Sequence, residues 1–162
     1  MYKVGIIGHK PEDLGFPGVE NKLRDTLDTL VFQYKNDLVL NIGGERGIGL
    51  WAGNYCLEHN TKYHLFLPCS VEKFSEFWYD EQKNILQNQF KMARSVTICS
   101  TDSNNENERD ALLIDNSNFI IVFWTGKKIG RTFDAIRYAL VSNKIIISGL
   151  DELKLLTSAD LE

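Results

Sequence analysis

Gly5-Ile6-Ile7-Gly8-His9-Lys10-Pro11 and Asn41-Ile42-Gly43-Gly44-Glu45-Arg46-Gly47-Ile48-Gly49 are two places where a short apolar run passes directly into a glycine-rich turn. A helical pattern follows each, so both turns belong at the carboxyl edge of a parallel sheet. Open sheets of this kind take ligands in the crevice beyond their strand ends. Glycine lets backbone N–H groups approach a phosphate with no Cβ in the way.

The same alternation runs outward from these turns. Residues 2–8 read as a first strand, followed by a polar loop through Pro17 and a helix in which Val19, Leu23, Leu27, Leu30, Val31 and Tyr34 keep the helical period. Residues 38–42 form a second strand, 47–59 a helix, and 63–67 a third strand stopped by Pro68. A long helix over 74–93 leads to a strand at 96–99. A polar loop at 101–107 follows, with Asn105 placed to cap a helix towards Asp115. Strand 119–124, helix 132–141 and strand 144–148 complete the pattern, and a tail over 151–162 reads as one frayed helix. Regular alternation predicts an α/β, Rossmann-like, doubly wound and mainly parallel sheet of about six strands with helices on both faces.

At 162 residues the chain suits one domain, residues 1–162, with a single substantial core. It carries 18 Lys plus Arg against 22 Asp plus Glu, and the cations are scattered, so the sequence holds no direct sign of nucleic-acid binding. Cys56, Cys69 and Cys99 show neither a disulfide framework nor zinc spacing. His59 and His64 flank one helix–strand connection with no further ligand at metal spacing, so no metal and no required cofactor are expected. No apolar run approaches the roughly 20 residues that span a bilayer, and a strand begins at once, so a cytoplasmic protein with no membrane partner is expected.

The second turn, Gly44-x-x-Gly47-x-Gly49, matches neither the dinucleotide fingerprint nor the P-loop, and Leu65-Phe66-Leu67-Pro68 offers no acid for a ribose. What it retains is a turn feeding a helix amino end, which favours an anion. A third turn, Thr125-Gly126-Lys127-Lys128-Ile129-Gly130-Arg131-Thr132, again joins strand to helix and adds possible phosphate donors in Arg131 and Thr132. Trp51 reads as packing that anchors the second turn.

Gly8-His9-Lys10-Pro11-Glu12-Asp13-Leu14-Gly15, Gly44-x-x-Gly47 with Leu50-Trp51-Ala52, and Asp115-Asn116-Ser117 together resemble the YpsA-like proteins of the SLOG superfamily. That superfamily is also similar to the lonely-guy enzymes and to the Rossmann-like domain of the DNA-processing protein DprA. The resemblance implies a domain that binds nucleotides or nucleotide-derived molecules such as ADP-ribose relatives. Some relatives cleave an N-glycosidic bond and others only sense a ligand. It also implies that Arg109, Asp110 and Asn107 face the site. The chain departs from the lonely-guy pattern where Ala135 replaces the final Glu. It departs from the YpsA-like pattern at Gly49, where an acid is common.

The candidate binding residues are Gly8, His9, Lys10, Gly43, Gly44, Glu45, Arg46, Gly47, Arg109, Thr125, Gly126, Gly130, Arg131 and Thr132. Cleavage would need a carboxylate, for which Glu45 and Asp134 are the candidates in or near the turns. The expected role is a sensor or sequestering protein for a phosphorylated nucleoside-type small molecule, with an N-glycosidase as the alternative and a protein scaffold as a third class. The dense aromatics Phe74, Phe77, Trp78 and Tyr79 divide between core and either a crevice cover or a homo-oligomer contact, and a homo-oligomer is expected.

Overall fold

The computed structural model describes residues 1–15, 17–100 and 103–162. Among these residues seven strands form one sheet in the order β4-β3-β2-β1-β5-β6-β7. They are β1 Tyr2–Gly8, β2 Leu38–Ile42, β3 Lys62–Leu67, β4 Ser95–Ile98, β5 Phe119–Phe123, β6 Ile145–Ser148 and β7 Lys154–Leu155. All pairings are parallel except β6 with β7. The helices are α1 Pro11–Leu14, α2 Val19–Tyr34, α3 Ile48–His59, α4 Val71–Phe74, α5 Asp80–Met92, α6 Glu106–Asp115 and α7 Arg131–Val141.

Period-two alternation divides the strand residues between two cores. Val4, Ile6, Leu40, Leu65, Ile121 and Phe123 pack with α2, α3 and α5, whereas Ile7, Phe66, Ile120, Val122 and Ile146 pack with α6 and α7. The order in which strands are added reverses between β1 and β5. Strands run outward from β1 through β2, β3 and β4 on one side, and from β5 through β6 on the other. The carboxyl ends of β1 and β5 therefore flank the topological switch point, where an open α/β sheet leaves its crevice.

Two expectations are corrected. The helix expected over 74–93 starts only at Asp80: Phe74 ends the separate short helix α4, which Ser70 Oγ caps by accepting from Lys73 N and which Ser75 closes, its Oγ donating to the Val71 carbonyl at 2.7 Å. Tyr79 then caps α5 with extended backbone, and Asp80 and Glu81 in the first turn complement its dipole. The tail is not one helix: it forms the seventh strand, antiparallel to β6, and a short 3-10 turn at Ser158–Leu161. Part of the expected loop at 101–107, residues 101–102, lies outside the described residues. Within it Asn105 caps α6 by accepting from Glu108 N at 3.1 Å, as its spacing predicts. Among the described residues no helix is long and apolar enough to cross a membrane.

Candidate functional site

The two glycine turns that decide the fold lie against one another. A Cβ on Gly47 would come 2.9 Å from Pro11 Cδ and 3.1 Å from the His9 carbonyl, and Gly47 itself has φ 84°. A Cβ on Gly8 would come 2.4 Å from Ile48 Cγ1. Gly43, Gly44 and Gly47 are buried, with Gly44 held against Leu65, Leu67 and Leu86. These glycines admit neighbouring protein, so the second turn is an interior joint.

The acid group at this turn comes from the chain itself. Glu45 is 2% exposed, and its Oε2 would lie 2.5 Å from a Cβ on Gly49, in the first turn of α3. The Glu45 carboxyl thus packs against the first turn of α3. The same contact gives a physical reason for glycine at 49: the acid of Glu45 occupies the space a side chain there would need.

Around Glu45 a buried ionic cluster draws together residues far apart in sequence. Arg109 is fully buried; its Nε donates to Asp110 Oδ1 at 2.7 Å and its Nη1 to the Gly43 carbonyl. Glu45 Oε2 lies 3.7 Å from Arg109 Nη1, and Glu106 Oε1 lies 3.6 Å from Nη2. Arg131 Nη1 donates to Asp110 Oδ2 at 2.7 Å, and Nη2 donates to the Gly8 carbonyl. Burial pushes the Glu45 carboxyl above its ordinary range, and the guanidiniums of Arg109 and Arg131 do not reverse it. For Arg131 burial opposes the charge, but Asp110, Glu45 and Glu106 outweigh it and hold the guanidinium firmly protonated. Glu45 Oε2 and Arg109 Nη2 make no hydrogen bond among the described residues.

Above this cluster, at the switch point, a pocket of about 200 Å³ is lined by His9, Lys10, Glu106, Lys127, Arg131 and Thr132, together with Asp13, Ile129 and Gly130. Gly130, at φ 97°, caps the open amino end of α7 with no side-chain hydrogen bond. A larger cleft of about 690 Å³ adjoins it, reached past Asp13 and Thr125-Gly126 and lined also by Lys128, Asp151 and Asp160. Lys127 Nζ and Asp13 Oδ1, 4.0 Å apart, stand between the two.

The structure thus brings His9, Lys10, Gly130, Arg131 and Thr132 to one pocket and places Thr125 and Gly126 in the neighbouring cleft. Arg109 lies in the cluster beneath, and Gly43, Gly44, Glu45 and Gly47 are interior. Arg46 faces a separate groove and pairs with Glu12 at 2.7 Å. Neither Glu45 nor Asp134 lines the pocket: the first is buried and the second is exposed on α7. Asp115-Asn116-Ser117 lies at the amino edge of the sheet. There Ser117 Oγ accepts from Asn41 Nδ2 at 2.9 Å and donates to the Leu113 carbonyl, joining α6 to β2. Asp13, Glu106 and Lys127 were missed by sequence reasoning, although Asp13 and Lys127 sit inside the quoted turns.

His9 is 6% exposed, and its Nε2 accepts from Thr125 N at 3.2 Å, so the neutral ring links the β1 and β5 turns. Burial lowers its pKa below the ordinary 6.5; Asp13 opposes this, and Arg131 and Lys127 add to it. Between the lowered folded value and the ordinary unfolded one, the unfolded chain binds more protons, so stability falls as pH drops through 6.5. Thermal melts from about pH 7.5 to 5.5 should show that loss, with His9→Gln reducing it. His64, also lowered by burial, acts in the same direction, and Glu45, raised by burial, opposes both.

No family model and no curated protein matches the sequence. Solved structures do share the fold. DNA processing protein A (DprA) from Streptococcus pneumoniae superposes with a TM-score of 0.70 at 15% identity, over 94% of this chain and 53% of that one. The chain therefore spans about half the length of that protein. DprA from Helicobacter pylori, which binds single-stranded DNA, gives 0.65 at 20% identity over 94% and 71%. The structural-genomics target TM1055 gives 0.61 at 16% identity over 91% and 73%. This likeness bears out the Rossmann-like fold that the resemblance to the SLOG superfamily implies.

Proposed function

We propose that this Rossmann-like domain binds a nucleotide or nucleotide-derived small molecule at the carboxyl edge of its sheet, as a sensor or sequestering protein. The observation that carries the reading is the switch-point pocket, where Lys10, Lys127 and Arg131 stand beside the uncapped amino end of α7. Cations and unpaired helix N–H groups together favour a phosphate. The single-stranded DNA binding of H. pylori DprA, on the same fold, agrees with a nucleotide as the unit recognised.

Binding is favoured over N-glycosidic cleavage because neither candidate carboxylate lines the pocket. Arg131 contributes through its charge while its hydrogen bonds hold Asp110 and Gly8. Its removal would disturb the fold, so exposed cations are the better probes. In a thermal-shift screen of nucleotides, nucleotide sugars and ADP-ribose, a true ligand at a hundredfold excess over its Kd should add about 2.7 kcal/mol of stability. Lys10→Ala combined with Lys127→Ala should shrink that shift and leave the ligand-free melting temperature in place. Mass spectrometry should recover the ligand intact. A flat screen would remove the reading, and consumption of the ligand would replace binding with turnover.

A further inference from the structure

We infer that the groove framed by Arg46, Phe77, Tyr79, Gln82 and Asn104 is a stacking site for a nucleobase. This rests on the nucleotide reading of the sheet edge and assigns the base to one side of it. The groove has a volume of about 480 Å³ and lies on the β2–β3 side of the switch point.

Its aromatic residues are held by a short turn between α4 and α5. Trp78 N donates to the Ser75 carbonyl at 3.0 Å, and the Trp78 ring meets the edge of Phe74 at 5.2 Å between centroids. Phe74 is 6% exposed and lies 5.7 Å from the Arg109 guanidinium, which ties the groove floor to the ionic cluster. With Trp78 turned inward, Phe77 and Tyr79 on either side of it are 92% and 83% exposed. A hydrogen-bonded turn that presents two aromatic residues to water supplies the π faces on which bases stack.

The polar groups of the groove suit the rest of a nucleotide. Arg46 brings a guanidinium for phosphate, while Gln82 and Asn104 bring amides that can both donate to and accept from a base edge. The Gln82 Oε1 acceptor is itself buried and has no hydrogen-bond partner among the described residues, so it is not the atom that meets a base as the side chain stands. The groove and the switch-point pocket share no lining residue but are linked through the chain: Arg46 pairs with Glu12, next to Asp13, and Asn104 is two residues before Glu106. The 690 Å³ cleft on the other side lacks a comparable platform. Its aromatic residue, Trp124, is 8% exposed and donates its indole N–H to the Lys127 carbonyl. Asp13, Asp151 and Asp160 there suit hydroxyl donors rather than a stacked base.

The test is titration calorimetry with AMP, ribose 5-phosphate and oligo(dT) on the wild type and on Phe77→Ala/Tyr79→Ala, with a Leu/Leu variant that keeps bulk but lacks π faces. The expected result is that both variants weaken AMP about fivefold or more and leave ribose 5-phosphate unchanged. Both should keep the wild-type melting temperature, since these side chains are exposed. A loss confined to oligo(dT) also supports the site and identifies a strand as the source of the base. If wild type binds AMP and the variants bind it equally well, the base site is wrong and the sheet-edge reading survives. Loss of self-association with unchanged binding of AMP and oligo(dT) would overturn the base site in favour of an interface between copies. If wild type binds none of the three probes, both readings fall.

Discussion

Arg109→Met is expected to cost about 3–5 kcal/mol of folding stability, the typical result of removing one partner from a buried ion pair. Arg109 is fully buried and closes three interactions at once: a hydrogen bond to Asp110, one to the Gly43 carbonyl, and charge compensation for Glu45. Without it, two carboxylates stay buried with Arg131 as their nearby guanidinium, and the end of β2 loses the donor to its turn. Urea denaturation should show a lower midpoint with an unchanged slope. Arg109→Lys keeps the charge but not the planar fork and should fall between. Adding Glu45→Gln to Arg109→Met should recover part of the loss, because the two sites share a network. A loss below about 1 kcal/mol would show that the cluster does not hold the turns together.

Gly49→Ala should also destabilise, against the helical preference for Ala, which by itself predicts a gain of up to about 1 kcal/mol in a helix interior. The added Cβ would stand 2.5 Å from Glu45 Oε2, 2.7 Å from its Cδ and 2.9 Å from the Gly44 amide nitrogen. The carboxylate has little room to yield, being 2% exposed beside Arg109. Overpacking of this kind costs about 1–3 kcal/mol. In a Glu45→Ala background the penalty for Gly49→Ala should shrink to the part set by the Gly44 nitrogen. Thermal or urea unfolding of the four proteins in this cycle measures the coupling directly. Independent losses would mean that Glu45 does not occupy the space over Gly49.

Arg109 was expected to contact a ligand, as was Glu45, whose carboxyl occupies the space over Gly49. Glycines in a strand-to-helix turn have two uses, a positive φ or a close approach, and sequence does not say what approaches. At Gly43 and Gly49 it is the protein's own carboxylate and guanidinium, whereas a Cβ on Gly126 or Gly130 would meet nothing within 4 Å. The β5–α7 turn therefore faces open space, and the β2–α3 turn does not. Asp115-Asn116-Ser117, part of the resemblance, proves to be a structural link at the opposite edge of the sheet.

What the sequence by itself determined was the fold class and the edge on which a site would form. Strand and helix periods are set by local backbone geometry, so Val4, Ile6, Leu40 and Ile121 declare their faces without reference to distant residues. Parallel alternation then sends every strand-to-helix turn to one edge. Only the tertiary structure decided which turn is filled, that Arg109 would reach the Gly43 carbonyl 66 residues away, and that Phe77 would face water while Phe74 is buried. The physical reason is range: hydrophobic patterning acts within a few residues, whereas charge pairing, close glycine contacts and the exposure of an aromatic ring depend on elements that meet only when the sheet has assembled.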